Sequence, residues 1–347
     1  MKSKKNATMK DVAKLAGVSL GTVSKVINKI AVTPENQRRV EQAVSELNYH
    51  PNAYARGLKT QKTGMIVVIV PNISNPFFAS FVDRIGFSLK KRDLRLLLAC
   101  AEGDPEREID CLRLASSNKA DGVIALTYSD IGNYITDDMA IVTFYRYFDN
   151  RNIPRVGSDN FGGAVTAIDM LVRFGCRHPA YVRYYSPFPG ESDRRLEGYL
   201  YACKKYGFQP DYLNEEENDR ESAMLREFIH SHQTPDGTLA FDGVFVHTDY
   251  HAVMLMNILQ SEGYRVPEDV QIIGFDGIRQ FGLPEGKLFV SSIVQPIDQL
   301  AEKCVELVTA DDRSALPTLT LLPAHYEYGG TTRDPQAGSR QNAENRS

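Results

Sequence analysis

The residues around position 25 combine a lysine with short hydroxyl and amide side chains, in a segment with the apolar spacing of a short helix. A lysine can donate to guanine O6 or N7, and a leucine methyl such as that of Leu20 can contact a thymine methyl. Hydroxyl and amide groups suit phosphate oxygens, which fix register on a duplex without reading its sequence. The polar candidates are Thr8, Ser19, Thr22, Ser24, Lys25, Asn28 and Thr33. The alternative is that they are helix caps and a solvated face, and for Ser19 and Thr33 both interpretations fit.

A second group of charged and aromatic residues follows apolar runs much later in the chain. Asp276 follows IIGF, Asp249 follows VFVHT, Arg146 ends the run IVTFY, and Arg195 opens a predicted helix. Carboxylates and arginines pair with the hydroxyl edges of a sugar, and aromatic rings pack on its apolar face. The candidate ligand contacts are therefore Phe77, Phe78, Tyr145, Arg146, Arg195, Asp249 and Asp276. An interlobe salt bridge between Arg195 and Asp276 is the alternative.

The sequence offers no pattern typical of a catalytic or metal site. His247 and His251 stand four apart, but HTDYH lacks the glutamate of HExxH and a third ligand. The sequence contains no GxxxxGK loop and no GxSxG elbow, so we predict neither an enzyme nor a cofactor. The five cysteines are scattered singly, which indicates buried thiols in a reducing cytoplasm. No apolar run reaches about 18 residues and the N-terminus lacks a secretory signal, so we expect a cytoplasmic protein.

The candidate DNA contacts fall on a pattern of three short helices. Thr8 is placed to cap the first helix, with Asp11 three residues on, and Val12, Leu15 and Ala16 fall on one face. Gly17 ends that helix, and Ser19 caps a second one that buries Val23, Val26 and Ile27. Thr33 and Pro34 begin a third, with Val40, Ala43, Val44 and Leu47 inward. Two helices joined by a short turn predict a helix-turn-helix.

Charge is distributed unevenly along the 347 residues, although the whole chain carries only −4. The first 62 residues contain 12 lysines and arginines against 4 acidic residues, and the remainder contains 28 against 40. A net +8 is thus followed by −12. The basic segment favours a polyanionic partner, and its affinity for DNA should fall steeply with salt.

From residue 65 onward, apolar strand-like runs alternate with helical patterns. The predicted strands cover 65–70, 95–101, 122–127, 141–145, 179–185, 243–247 and 270–275. The predicted helices cover 77–91, 106–117, 162–174, 193–206, 221–230, 251–262 and 296–309. Strands so uniformly apolar are buried on both faces, which predicts parallel, doubly wound sheets. There are too many strands for one small sheet, so we predict two lobes with a ligand cleft at the carboxyl ends of the strands.

A short, weak helical segment at 48–59 separates the two patterns and should order only against a partner surface. With it, the order of several motifs resembles the lac repressor (LacI/GalR) family of bacterial transcription regulators. The motifs are DVAKLAGVS, TVSKVIN, VTPENQRRV, ELNYHPNAYARGLK, NPFF, RRLEGY, IGFD and IVQP. Several spaced motifs in one order are far less probable by chance than any one of them.

The resemblance implies roles for residues that spacing alone does not identify. Leu20, Gly21 and Lys25 match the family positions that face base edges, and Leu58 matches the residue inserted between base pairs in the minor groove. Asn52 and Arg56 of the same hinge are further candidate DNA contacts. Arg195 and Asp276 match the family's most consistent ligand contacts. An alternative for Leu58 is packing beneath the core.

The resemblance also implies an architecture: an N-terminal all-α helix-turn-helix domain, then a two-lobed α/β core like a periplasmic binding protein, with parallel doubly wound sheets. Its lobes would cover about 64–159 and 160–290, with crossovers that return the chain near Ser292 and Leu321. We expect domain limits of 1–50, 51–63, 64–333 and 334–347, the last a disordered tail. Without leucine heptads in that tail, a homodimer is favoured over a tetramer.

These patterns predict a cytoplasmic, homodimeric DNA-binding repressor controlled by a small-molecule effector. The effector would be a sugar or sugar derivative, with a purine or other metabolite corepressor as the alternative. Induction and corepression stay open. A solute-binding protein would need an export signal in place of residues 1–62, and a sugar-converting enzyme would need a catalytic constellation in the cleft.

Overall fold

The computed structural model describes residues 7–28, 30–49, 62–127, 129–136, 138–146, 148, 152–186, 190–216, 218–282 and 285–333. The chain divides into two compact units, Met1–Gly64 and Met65–Ser347. The predicted hinge residues Asn52, Arg56 and Leu58 and the predicted tail lie outside the described residues. Within the described ranges, no helix is long and apolar enough to cross a membrane.

The first unit contains the predicted helix-turn-helix. Its helices are α1 (Met9–Ala16), α2 (Leu20–Ile27) and α3 (Pro34–Glu46). Thr8 and Asp11 cap α1 reciprocally, and Gly17 ends it in the left-handed conformation with φ 61°. The three helices bury one small core, formed by Val12, Ala16, Val23, Val40 and Ala43.

Two details of this unit differ from the sequence prediction. Leu15, expected on the buried face, is 46% exposed, because Val12 and Ala16, with Met9 and Ala13 partly buried beside them, form the face of α1 that packs on the core. Thr33 occupies the cap position of α3, but its side chain accepts no backbone N–H there. Thr33 therefore keeps its hydroxyl available for a partner outside the helix.

The second unit alternates strands and helices. Its described strands are β1 (Met65–Val70), β2 (Arg95–Cys100), β3 (Gly122–Ala125), β4 (Ile141–Phe144), β5 (Arg155–Ser158), β6 (Pro179–Tyr185), β7 (Tyr212–Glu216), β8 (Gly243–Val246), β9 (Gln271–Asp276), β10 (Ser292–Val294), β11 (Leu319–Leu322) and β12 (His325–Glu327). Its described helices are α4 (Pro76–Lys90), α5 (Pro105–Ser117), α6 (Asn160–Arg173), α7 (Arg194–Tyr206), α8 (Glu221–Ser231), α9 (Asp249–Ser261) and α10 (Ile297–Val308).

These elements form two lobes, each around a six-stranded sheet. The first sheet has the order β11-β5-β4-β3-β1-β2 and the second β12-β10-β9-β8-β6-β7. Apolar side chains cover both faces of each sheet, as the uniformly apolar strands predicted. The predicted doubly wound α/β class is confirmed.

The chain passes between the lobes three times, after β5, after β10 and after β11. The second lobe continues to Val294, slightly beyond the expected limit of 290. All strand pairs are parallel except β10 with β12. Because β10 leads out of the second lobe and β12 leads back into it, these two strands must run in opposite directions. The periodicity of the sequence does not indicate that β12 is antiparallel to β10.

The expectation of uniformly buried cysteines is wrong. Cys176, Cys203 and Cys304 are buried, but Cys111 is half-buried and Cys100 is exposed. Cys100 is the last residue of β2, which forms an edge of the first sheet, so no further strand covers it.

Close packing of α6 and α7 positions the side of the cleft that the second lobe forms. A Cβ added at Gly198 of α7 would lie 2.5 Å from the carbonyl oxygen of Phe161 in α6. Only glycine permits this approach, which seats the first turn of α7, and with it Arg195, against the start of α6.

Candidate functional site

The outer face of α2 presents the predicted base-reading side chains. Leu20, Gly21 and Lys25 are exposed, and a Cβ at Gly21 would meet nothing nearer than the Ser19 hydroxyl at 3.7 Å. The face is therefore open to close approach by a partner along its N-terminal turn.

Several predicted phosphate contacts also cap their own helices. The Ser19 hydroxyl accepts from the Thr22 N–H at 3.1 Å, and the Asn28 side-chain amide donates to the Ser24 carbonyl at 2.8 Å. The Thr8 hydroxyl donates to Asp11 at 2.7 Å. Capping and phosphate contact are compatible, because a hydroxyl has two lone pairs and an amide two N–H groups.

In the second unit, a cavity of about 1040 Å³, including its solvent-open part, lies between the lobes. Six of the seven predicted ligand contacts line it, namely Phe77, Phe78, Tyr145, Arg146, Arg195 and Asp276. Phe77 and Phe78 reach it because Asn75 caps α4 by accepting from the Phe77 N–H at 2.9 Å. The structure thus brings residues separated by some two hundred positions to one place.

Asp249 does not line this cavity. Its carboxylate accepts from the backbone N–H groups of Gly277 at 2.8 Å and Ile278 at 2.6 Å, and from the Ser292 hydroxyl at 2.6 Å. Burial raises its pKa to about 6 in spite of these donors. Asp249 therefore holds the turn after β9, and its prediction as an effector contact is not supported by this position.

Arg195 is buried and is held by neutral partners. Its Nε donates to the Asn160 side-chain oxygen at 2.7 Å, another nitrogen donates to the His247 carbonyl, and its guanidinium lies 3.6 Å from the centre of the Phe275 ring. The alternative of an interlobe salt bridge is wrong, because Arg195 and Asp276, both described, belong to the same lobe and form no ion pair with each other. The charge of Arg195 thus stays available to a bound molecule.

Asp276 lies at the end of β9 with a φ of 134°, a backbone conformation that side-chain-bearing residues rarely adopt. Burial is the main cause that raises the pKa of its carboxyl to about 8; Arg195 opposes the shift and nearby Asp249 adds to it. The group is therefore largely protonated at neutral pH. A strained, buried carboxyl beside a buried arginine is a pattern typical of binding sites.

Known proteins share the two parts of this chain, the helix-turn-helix and the two-lobed core. The sequence profile of bacterial regulatory proteins, lacI family, matches residues 8–52, and that of the periplasmic binding protein-like domain matches residues 168–332. The sucrose operon repressor of Pediococcus pentosaceus is 32% identical over 86% of this chain and 90% of its own length. The ribose operon repressor of Bacillus subtilis is 30% identical over 94% and 99%.

The chain belongs to the lacI family. Among solved structures, the lac repressor dimer bound to operator and the anti-inducer ONPF shares the fold, with a TM-score of 0.77, 20% identity and coverage of 95% of this chain and 100% of that one. A transcriptional regulator CelR-cellobiose complex has a TM-score of 0.64 at 25% identity, covering 94% and 99%.

In this lacI-family chain, Gln295 connects the two lobes at the cavity. Its side-chain oxygen accepts from the Tyr145 hydroxyl and from the Ser158 hydroxyl at 2.8 Å, both in the first lobe. Its nitrogen donates to Asp276 of the second lobe at 2.7 Å. Gln295 directly follows β10, at a crossover, so one side-chain amide joins Asp276 of the second lobe to Tyr145 and Ser158 of the first.

A second connection, the interlobe strap, consists of residues 190–193 and reaches from the second lobe to the first. Gly190 pairs with Arg146 as an antiparallel bridge, and the Glu191 N–H donates to the Tyr145 carbonyl at 2.9 Å. The Glu191 carboxylate lies 3.2 Å from a guanidinium nitrogen of Arg155, and both side chains are largely buried. The strap therefore ties the lobes together beside the cavity.

Further lining residues were not singled out as ligand contacts from the sequence. They are Asn72, Asn75, Leu126, Thr127, Phe144, Tyr184, Tyr185, Ser186, Gly190, Ser192, Asp193, His247, Thr248 and His251. Six of them come one or two residues after a strand, so the rule that identified Asp276 could have found Asn72, Thr127 and Thr248. Nothing in the local sequence identifies Ser192 and Asp193, which belong to the strap.

Proposed function

We propose that this chain is an operator-binding transcriptional repressor whose affinity for DNA is set by a sugar or sugar derivative bound between the two lobes. The observation that carries the proposal is the interlobe cavity, where buried Arg195 and Asp276 face aromatic rings from the opposite lobe. Charged groups that orient hydroxyls, with rings that cover apolar faces, are what a sugar requires. Relatives named as sucrose and ribose operon repressors support this class.

The control follows from the connections across the cleft. A ligand that contacts both lobes stabilises one interlobe angle over others, and shifts the equilibrium only by its differential affinity for the two states. Gln295 and the interlobe strap are the elements through which this difference would act. Gel retardation on the DNA upstream of the chain's own gene, with and without sugars identified by thermal shift, tests the proposal. Absence of any sequence preference over random duplex would refute it.

Replacing Lys25 by methionine is expected to weaken specific operator binding by about 10- to 100-fold, the size of one lost base contact. Methionine keeps the length and apolar stem of the side chain, so α2 should stay folded. Lys10→Met, on the exposed surface of α1, provides the matched control and should weaken operator and random DNA alike. Fluorescence anisotropy at several salt concentrations measures both, and equal losses for the two variants would contradict a base-reading role.

We further propose that the chain acts as a homodimer through an exposed, mainly apolar groove formed mostly by the second lobe. The groove is lined by Tyr250, Val253 and Met254 of α9 together with Ile278 and Phe289, and by Pro76, Asp249 and Asn257. Tyr250 and Phe289 are 47% and 42% exposed, and contiguous exposed apolar surface is typical of interfaces.

Replacing Tyr250 by aspartate is expected to convert the dimer to a monomer, because it places a charge inside a desolvated interface. Sedimentation velocity at micromolar concentration measures the change, and operator affinity should fall with it. Tyr134→Asp serves as the control, since Tyr134 is 48% exposed on the other lobe. A Tyr250→Asp chain that sediments like the unmodified protein would show that the groove is not the dimer surface.

A further inference from the structure

One wall of the interlobe cavity is built from two stacked histidines, a tyrosine and a threonine. The rings of His247 and His251 are 4.7 Å apart between centres, and the Tyr184 ring lies 4.8 Å from that of His251. Thr248 stands between the two histidines in the chain and lines the cavity with them. We call these four residues the histidine wall.

Glu221 fixes the orientation of His251 from behind this wall. The His251 Nε2 lies 3.0 Å from the Glu221 carboxylate, and both side chains are largely buried. An ionised carboxylate can only accept hydrogen bonds, so Nε2 must carry the proton. In the neutral ring, Nδ1 is then an acceptor.

The position of the proton on His251 in turn fixes the direction of the Thr248 hydroxyl, whose oxygen lies 2.8 Å from His251 Nδ1. A hydroxyl has a single proton, and the Thr248 hydroxyl uses it to donate a hydrogen bond to Nδ1. The Thr248 oxygen also accepts weakly from the His251 N–H at 3.3 Å, which leaves lone-pair density and no proton for the cavity. The Glu221–His251–Thr248 relay thus makes this part of the wall a hydrogen-bond acceptor.

The adjacent His247 contributes no positive charge to offset this polarity. Burial, and then the neighbouring His251, hold its pKa well below the ordinary value. Its Nδ1 is buried without a hydrogen-bond partner. Arg195 and Arg183 place positive charge near His247. A phosphate or carboxylate oxygen directed at the Thr248 hydroxyl itself would nevertheless meet lone pairs with no proton to donate, whereas a hydroxyl would find an acceptor.

We propose that the Glu221–His251–Thr248 relay selects the effector, which must direct a hydroxyl donor at Thr248 and cannot carry a phosphate, carboxylate or ether at that position. The inference rests on the proposed function and narrows its effector to molecules that are unmodified at this hydroxyl. It assigns the choice to a residue, Glu221, that does not itself line the cavity.

The test uses the full chain at pH 8, where histidine is ordinarily neutral. D-ribose, sucrose and cellobiose, their phosphate esters, and their singly deoxygenated and singly O-methylated analogues are titrated by calorimetry. For one hydroxyl, both the deoxy and the O-methyl analogue should bind about 10- to 100-fold more weakly than the parent sugar. The O-methyl analogue retains the oxygen as an acceptor, so its loss reports the missing donor.

Variants distinguish the relay from a merely structural role. Thr248→Ser should keep the discrimination, and Thr248→Val should remove it. Glu221→Gln should also remove it, because an amide can donate to Nε2 and so release the Thr248 proton towards the cavity. Asp211→Asn is the matched control, since Asp211 pairs with His232 at 3.1 Å away from the cavity lining. Circular dichroism verifies that each variant is folded.

The inference is overturned if O-methyl analogues bind like their parents, if discrimination survives Glu221→Gln, if phosphate esters bind better than neutral sugars, or if none of the three sugars binds. Operator retardation is measured in parallel. If any of these results is obtained while the chain still selects its operator, the relay is refuted and the proposed DNA-binding function is kept. The two failures are therefore distinguishable.

Discussion

Replacing Glu191 by alanine is expected to lower the free energy of unfolding by about 3–5 kcal/mol and to weaken effector binding by at least about tenfold. The substitution leaves the Arg155 guanidinium, in the first lobe, without the carboxylate that lies 3.2 Å away. Removing one partner of a buried pair costs more than the pair contributes, because the remaining charge stays desolvated. We expect effector affinity to fall as well, since the interlobe strap ties the two lobes together beside the cavity.

A double-mutant cycle separates the charge effect from the strap itself. Arg155→Met combined with Glu191→Met should recover most of the stability, because an apolar pair of similar volume has no charge to desolvate. Glu191→Gln should be intermediate, since it retains a hydrogen bond to arginine. Urea unfolding and calorimetric titration provide the two measurements. Additive effects of the single substitutions would show that Arg155 and Glu191 do not interact.

Replacing Asp276 by asparagine is expected to make the protein more stable at pH 8 and nearly unchanged in stability at pH 4. The folded-state pKa of Asp276, about 8, lies above the ordinary aspartate value of 3.8. The folded chain therefore holds a proton that the unfolded chain loses, and stability falls as pH rises from about 4 to about 8. The slope is about 1.4 kcal/mol per pH unit at most. Below that window the carboxyl is protonated in both states.

Asparagine resembles the protonated carboxyl in shape and still accepts from Gln295, so it should remove this slope. A slope of up to about 1.4 kcal/mol per pH unit should remain over the narrower range from about pH 4 to 6, because Asp249 has a raised pKa of about 6. Thermal unfolding across the pH range measures both. Effector affinity should fall at least about tenfold at the same time, because a substitution that stabilises a strained binding site commonly weakens binding there. Parallel stability curves for the two chains would contradict a raised pKa.

Helices and strands with a clear apolar pattern were predictable from the sequence, and most strands with few apolar residues were not. The seven strands predicted from apolar runs are all present, as are the seven helices of the second unit, within one or two residues at most ends. The missed strands β5, β7, β10, β11 and β12 have three to five residues each. β3, β4 and β8 have only four residues each but were predicted, because three of the four are apolar, whereas β5, β7, β10 and β12 have at most two apolar residues each. β7 contains two glutamates because it lies at a sheet edge.

The cavity could be predicted at the level of strand ends but not of individual contacts. Asp276 and Asp249 both follow apolar strands, and the sequence gives no reason to separate them. In the structure one carboxyl lines the cavity while the other is turned towards Gly277 and Ile278. Such a difference depends on tertiary donors that converge from distant segments. The same holds for the histidine wall, which Glu221 orients from another helix.

On the ribosome, the helix-turn-helix can form early, because its small core uses only three consecutive helices. The first lobe must wait, since its sheet is completed by β11 and covered by α10, both translated after nearly all of the second lobe. The second lobe in turn lacks β12 until β11 of the first lobe has been translated. Neither lobe can therefore complete its sheet before the other is translated. The helix-turn-helix can thus fold before the two lobes that enclose the cavity.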